Sequence, residues 1–338
     1  TGVLSPWFNN KLEHDIEEEI FLNEDHLQYI GDKIVSDLVD YRRQTGVSTA
    51  VIGMSGGVDS ALTAALLKKA RWNVIGVTMP INQNPEETAR GVEACAALGV
   101  EHKSIDLSRM FDNTVQEMRA LDDELVTSFT KDIKPVRIRL GNIRARLRMI
   151  TLYNLAAKYG GLVASTDNYS ELAVGFWTLH GDVGDISPIQ ALTKSWEVPM
   201  IAKLFNVPEK TWRAKPTDGL GVDDGDEAQF GFTYLELDLM LLALGNIVNN
   251  GLIDDELRSK GGYTVENVLD TLNIVSEGNV VDEHAAMVLK GLTDRMGSTW
   301  FKRMNPVNID HDLDMPRYQR LAQIDRDMFH PAVVKGAY

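Results

Sequence analysis

A run of small and apolar residues at 50–54 leads into Ser55-Gly56-Gly57-Val58-Asp59-Ser60, and Ala61-Leu62-Thr63-Ala64-Ala65-Leu66-Leu67 follows. The order reads as strand, glycine loop and helix, the unit from which α/β sheets are wound. The N-terminus of such a helix carries unpaired N–H groups and a partial positive charge, which together favour phosphate. Gly56 and Gly57 let the backbone approach an anion and take positive φ, while Ser55 and Ser60 add hydroxyl donors. Asp59 has no direct use for phosphate; a carboxylate beside phosphates calls for a bridging magnesium ion. No Lys follows the glycines, so this is not the GxxxxGK[ST] loop.

The alternation continues along the chain. Strand-like runs at 49–53, 74–79, 101–105 and 162–164 alternate with helix-like runs at 60–70, 85–98, 108–118 and 143–158. That pattern predicts an α/β fold, a parallel sheet with helices on both faces, and a ligand at the carboxyl ends of the strands. Ahead of it, a helical period at 23–44 (Leu27, Ile30, Ile34, Leu38, Tyr41) starts at Asn23 or Asp25 and stops near Gly46. Residues 1–23, with Glu13, Asp15, Glu17, Glu18 and Glu19, read as a solvated helix or frayed acidic arm. After Thr193 the strand signal disappears. Helical runs at 194–205 and 234–245 flank a Gly- and Asp-rich loop at 216–230, a candidate lid over 218–231. More helices, broken at Gly251, Gly261, Gly262 and Gly278, precede a tail with little periodicity. The expected organisation is an arm (1–23), a nucleotide-binding α/β domain (24–245), and a helical C-terminal extension and tail (246–338) partly packed on that domain.

Charge narrows the possible ligand sites. With 34 basic and 49 acidic residues the net charge is −15, so phosphates need a local basic pocket and general nucleic-acid binding is disfavoured. Lys134, Arg137 and Arg139 precede Gly141-Asn142-Ile143-Arg144-Ala145-Arg146-Leu147-Arg148, where helical spacing stacks Arg144 on Arg148 and sets Arg146 apart. Cys95, the only cysteine, excludes an intramolecular disulfide and sits in an apolar helical pattern that makes it core. No apolar run approaches membrane-spanning length and residues 1–4 lack signal-peptide form, so a cytoplasmic protein without a membrane partner is expected.

Two further segments fit nucleotide chemistry. Leu162-Val163-Ala164-Ser165-Thr166-Asp167-Asn168 reads as a strand entering a polar turn, with Glu171 one turn into the next helix. Thr166 offers a hydroxyl, and Glu171 a second carboxylate to pair with Asp59 around magnesium. Gly175-Phe176-Trp177-Thr178 is followed by Gly181-Asp182-Val183-Gly184-Asp185 and by Leu192-Thr193-Lys194. Phe176 and Trp177 suit a planar ring, and Asp185 suits a ribose or an amine. Lys194 opens a helix, where a cation does not help the macrodipole, so a phosphate role is expected. Asp310-His311-Asp312 reads as solvated tail.

In order and spacing these segments resemble ammonia-dependent NAD synthetase, an N-type ATP pyrophosphatase of the SGGxDS-loop family, over roughly 25–240 and again near 300. The family pattern continues with GNxxAR (141–146), a Glu five residues after the strand-ending Thr (Thr166, Glu171), and GF-aromatic-T (175–178). GD–G–D–P (181–188), the helix-opening Lys194, K-P-[ST] (215–217) and D-E-x-x-x-G (226–231) complete it. The resemblance implies a Rossmann-like, adenine nucleotide alpha hydrolase-like sheet and a homodimer with its deamido-NAD site at the subunit interface. It places ATP on Gly53, Met54, Ser55, Gly56, Gly57, Val58, Asp59, Ser60, Thr166, Lys194 and Thr217. Magnesium falls on Asp59 and Glu171, and deamido-NAD on Arg146, Phe176, Asp185 and Lys302. Asp59, Glu171 and Lys194 are the implied catalytic residues. The implied reaction amidates deamido-NAD with ammonia through an adenylated nicotinate carboxylate, giving NAD, AMP and pyrophosphate. Two positions depart from the pattern: a family Lys is Leu179 here, and a family His-Lys pair is Phe301-Lys302. No room for the amidase domain of glutamine-dependent relatives exists ahead of residue 46, so free ammonia or a separate donor is expected. Two other readings remain open: a related SGGxDS-loop ligase amidating a different carboxylate, and a non-catalytic nucleotide-binding homologue.

Overall fold

The structure, a computed structural model, describes residues 3–20, 23–127, 133–215, 225–249, 264–306, 317, 319–321 and 323. In chain order its elements are α1 (Pro6–Glu17), α2 (Glu24–Thr45), β1 (Thr49–Gly53), α3 (Val58–Lys69), β2 (Asn73–Thr78) and α4 (Pro85–Leu98). Then come β3 (Glu101–Ser104), α5 (Ser108–Met118), α6 (Glu124–Thr127), α7 (Lys134–Tyr159), β4 (Leu162–Val163) and α8 (Tyr169–Val174). The remainder comprises α9 (Glu197–Leu204), α10 (Glu209–Trp212), α11 (Asp226–Phe230), α12 (Tyr234–Asn249), α13 (Val265–Thr271), β5 (Val275–Ser276), β6 (Asn279–Val280) and α14 (Glu283–Arg303).

The first four strands form one parallel sheet in the order β3-β2-β1-β4, with Ala50 opposite Val74 on one side and Leu162 on the other. A further parallel bridge, Ala164 to Ile186, prolongs the β4 edge. Alternate residues of β1 feed different cores, as strand geometry requires. Ala50 and Ile52 pack with Leu62, Leu66 and Ile201 under α2, α3 and α9, whereas Val51 joins Ile75, Val77, Phe111 and Leu147 under α5 and α7. The sheet therefore has helices on both faces. Strand order reverses at β1, so the crevice beyond the carboxyl ends of β1 and β4 is the switch point where ligands of such sheets bind.

Several local expectations change. Helix α7 starts at Lys134, nine residues before the predicted 143. Pro135 in its first turn costs no helical hydrogen bond, and Gly141 is carried inside the helix without breaking it. Lys194 does not open a helix; it sits in the turn before α9, whose N-cap is Trp196. A short hairpin, β5–β6, interrupts the helical C-terminal region. Glu277 and Gly278 make its two-residue turn, both at positive φ, as a type I′ turn demands.

The acidic N-terminal stretch is also not simply solvated. Phe8 of α1 is fully buried in a second hydrophobic core with Tyr234, Leu237, Met240 and Leu289. Trp7 donates through its backbone N–H to Asp282 (2.8 Å) and through Nε1 to Leu272 (2.9 Å). Asp15 is buried and paired with Lys11. Helix α1 thus docks on α12 and α14. Among the described residues, no helix is long and apolar enough to cross a membrane.

Candidate active site

Strand β1 delivers the chain to Met54, and the loop turns into α3 through Gly57, which as N-cap supplies no side-chain bond. The first-turn N–H groups of α3 therefore point, uncapped, at the switch-point crevice. Gly56 adopts φ +87°, and a Cβ there would lie 2.1 Å from the Glu87 carbonyl oxygen. Helix α4 answers with its own glycine: a Cβ on Gly91 would lie 2.7 Å from the Met54 carbonyl oxygen. The two glycines let loop and helix touch. Ser60 is buried and bonds Ser55 Oγ and the Gly57 carbonyl, both at 3.2 Å, so its hydroxyl shapes the loop from behind.

Opposite the loop, β4 runs into the turn at 165–168 and then α8. Asn168 accepts from the Glu171 N–H (2.9 Å) while Glu171 Oε2 accepts from the Asn168 N–H (3.2 Å), a capping box. The Asn168 amide donates onward to Asp59 Oδ1 at 3.2 Å, and Lys194 Nζ pairs with Asp59 Oδ2. Asp59, Glu171 and Lys194, from three separate segments of the chain, thus form one charged cluster. Burial pushes the Glu171 carboxyl well above the usual range, Asp59 adds to it, and Lys194 opposes. Burial works against the Lys194 ammonium, yet Asp59 and Glu171 outweigh it and raise its proton affinity.

The backbone of Lys194 is fixed from α12. Its N–H donates to Ser170 Oγ (2.9 Å), Ser170 donates to Asp238 Oδ1, and the Ser195 N–H donates to Asp238 Oδ2 (2.8 Å). Burial raises the Asp238 carboxyl to about 6 despite these bonds. Asp167, also buried, is raised by burial first and then by Asp182 and Asp59. In folded protein such groups hold protons that the unfolded chain has already released. Their contribution to stability is therefore largest at low pH and falls as pH rises through the raised values. Lowering the pH from 7 to 5 is expected to strengthen the ligand-free protein by on the order of 1 kcal/mol through Asp238 alone. Denaturant melts of the wild type and Asp238→Asn check this; equal pH slopes would sink it.

The cluster opens into a cavity of about 480 Å³. Gly53, Met54, Ser55, Gly57, Val58 and Asp59 line one side, Thr166, Glu171 and Lys194 another, and Phe176 and Lys302 the far end. Phe176 packs edge-on against Phe230 at 4.9 Å. Lys302 Nζ donates to the Gly175 (2.8 Å) and Trp177 (2.6 Å) carbonyls, and burial lowers its proton affinity. Arg303 adds bonds to the Leu172 and Ala173 carbonyls at 3.3 and 3.2 Å.

Four expected residues stand elsewhere. Gly56 and Ser60 belong to the loop and the start of α3 but do not line the cavity. Arg146 is exposed outside the cavity, its Nε donating to the Leu179 carbonyl at 3.2 Å. Asp185 accepts from the Val163 N–H (2.9 Å) and the Tyr153 hydroxyl (3.1 Å), tying the β4 edge together. Thr217 and most of the expected lid fall outside the described residues, as does Asp310-His311-Asp312; α11 forms the lid's described end.

The α7 arginine that does line the cavity is Arg148. It belongs to the α7 stripe Ile138, Asn142, Ala145, Met149 and Leu152, which turns to the cavity while Arg146 turns away. Arg148 donates to the Met79 carbonyl (3.1 Å) and to Gln83 Oε1 (2.9 Å), and burial lowers its guanidinium to about 10. Asp167 and Asp182 also line the cavity. Both sit inside motifs visible in the sequence, but their direction is set by the β4 edge. Cys95 is buried and its thiol is pushed up to about 11, which suits core and not nucleophile.

Among the described residues no three His, Cys, Asp or Glu side chains are placed to hold a metal by themselves. Asp59 and Glu171 nevertheless fit magnesium. They are hard oxygen donors, Asp59 raises the proton affinity of Glu171, and this ion completes its shell with water and substrate phosphates.

A family model described as NAD synthase matches residues 30–280. The NH(3)-dependent NAD(+) synthetase of Finegoldia magna is 35% identical over 232 residues, covering 67% of this chain and 90% of that protein. Among solved structures, NMN synthetase from Francisella tularensis aligns with a TM-score of 0.62 at 25% identity, over 86% of this chain and 99% of that one. NH3-dependent NAD synthetase from Campylobacter jejuni aligns with a TM-score of 0.58 at 26% identity, over 84% and 99%.

Proposed function

The chain belongs to the NAD synthase family, and from that premise we propose that it amidates deamido-NAD with ammonia, converting ATP to AMP and pyrophosphate. The observation that carries the reading is the Asp59–Lys194 pair set beside Glu171 at the uncapped start of α3. Phosphates call for that N-terminus and a cation, their magnesium ion calls for carboxylates, and the crevice holds residues for both.

The nicotinate carboxylate attacks the α-phosphorus of ATP and pyrophosphate leaves; ammonia then displaces AMP from the adenylate. The α3 N–H groups and Ser55 bind the phosphates. Lys194, freed from Asp59, offsets charge on the departing pyrophosphate. Asp59 and Glu171 would hold magnesium, which when bound supplies charge neutralisation for phosphoryl transfer. The proton that ammonia loses on forming the amide has to leave the site, and the Asp167 carboxyl that lines the cavity is placed to relay it to solvent. Phe176 and Trp177 wall the acceptor end against water.

The same reading assigns a homodimer whose second subunit completes the deamido-NAD groove. The exposed Arg146 and the half-exposed apolar Ile150, one turn apart on α7, support a covered face there. A cytoplasmic location follows from the substrates. The test is product analysis after incubation with deamido-NAD, ATP, magnesium and ammonium. NAD and AMP are expected in equal amounts and only with ammonium. AMP without NAD, or NAD synthesis replaced by amidation of nicotinate mononucleotide alone, would overturn the acceptor; no AMP at all would overturn the enzyme.

A further inference from the structure

The phosphate end of the cavity carries more acid than free base. Asp59, Glu171, Asp167 and Glu87 line it. Of its cations, Lys194 pairs with Asp59 and Arg148 bonds Met79 and Gln83 before any ligand binds, while Lys215, exposed, lines the cavity as well. A nucleoside triphosphate adds several further negative charges, so another donor is needed close to the glycine loop.

Arg90 of α4 meets that need. Its side chain lines the same cavity, and its Nε donates to the Gly56 carbonyl at 3.3 Å, in the middle of the loop. The two Nη groups make no hydrogen bond or ion pair with any described residue. The guanidinium is anchored by one nitrogen and presents its remaining fork unspent, the arrangement that recognises phosphate oxygens bidentately. Its reach depends on the paired glycines. The neighbour Gly91 lets α4 approach the Met54 carbonyl, and Gly56 lets the loop approach Glu87. Arg90 is thereby held one residue from Gly91 and three from Glu87, the two points at which α4 meets the loop.

We propose that Arg90 is a substrate-binding residue that clamps the polyphosphate of ATP, and the pyrophosphate derived from it, against the glycine loop. The inference rests on the reading of the site as ATP-dependent. It adds a phosphate ligand from α4, anchored at Gly56 where Lys194 is anchored at Asp59.

The test compares wild type, Arg90→Gln and Arg90→Lys. For Arg90→Gln the KM for ATP is expected to rise roughly 10- to 100-fold, the loss of charge-assisted bonds to phosphate. The inhibition constant for pyrophosphate should rise in parallel, with the KM values for deamido-NAD and ammonium unchanged. Arg90→Lys, which keeps the charge and loses the fork, should recover only part of the affinity. Calorimetric titration with magnesium pyrophosphate reads the same clamp without turnover, so a failure of the NAD synthetase reading is distinguishable. A wild type that makes no NAD but binds pyrophosphate in an Arg90-dependent way keeps the clamp and loses the reaction. Unchanged pyrophosphate affinity in a folded Arg90→Gln, or full rescue by Lys, would overturn the clamp; so would a variant whose only change is a lower kcat. Should Arg90→Gln not fold, the Arg90→Lys titration decides alone.

Discussion

Lys194→Met is expected to lower pyrophosphate release about 10²- to 10³-fold while leaving a folded protein. The residue is 8% exposed, and its only ion-pair partner among the described residues is Asp59, so its charge is concentrated where the leaving group develops its own. Methionine keeps the aliphatic stem and removes the ammonium. Asp59 does not become a stranded buried charge, because its side chain is 16% exposed and retains the Asn168 amide. The stability cost should therefore stay small beside the rate effect. Single-turnover release of pyrophosphate, with a denaturant melt of the same variant, separates the two. Release within tenfold of wild type would remove Lys194 from the phosphoryl-transfer step.

Gly56→Ala is expected to cost several kcal/mol of stability and to abolish nucleotide binding. Its Cβ would lie 2.1 Å from a backbone oxygen of α4, and its φ of +87° is one that L residues adopt only under strain. Backbone cannot rotate aside as a side chain can, so loop and helix must separate. Gly57→Ala is the control: its φ is −87°, and the nearest atom, Ser55 Oγ, is 3.3 Å away. That variant should lose no more than about 1 kcal/mol, the scale of ordinary surface changes. Equal melts for the two variants would show that α4 does not press on the loop.

These contrasts show where the sequence was legible. Strand β1, the 55–60 loop and α3 could be placed because glycine, serine and apolar periodicity all point to one local structure. Asp59 and Glu171 could be paired as magnesium carboxylates from the residues, but Lys194 joined them only through the family pattern, since the three meet across a sheet whose strand order no periodicity encodes. Arg146 against Arg148 shows the limit more sharply. Both lie on α7, and which faces the cavity depends on the helix's rotation against β1 and β4. The start of α7 was hidden because Gly141 resembles a break, and the docking of α1 because its acidic residues outnumber Trp7 and Phe8. Thr217 falls outside the described residues.

Lys302 and Arg303, at the end of α14, hold the carbonyls at the C-terminal end of α8 and the 175–177 turn beyond it. The wall of the cavity farthest from the glycine loop is therefore pinned by residues more than 120 positions downstream of it. A chimera that grafted residues 24–245 alone onto a foreign C-terminal half would carry every phosphate ligand yet leave the acceptor end unbraced. Exchange between homologues should succeed only when α8 and α14 travel together, so the two halves of this chain are expected to have been inherited as one piece.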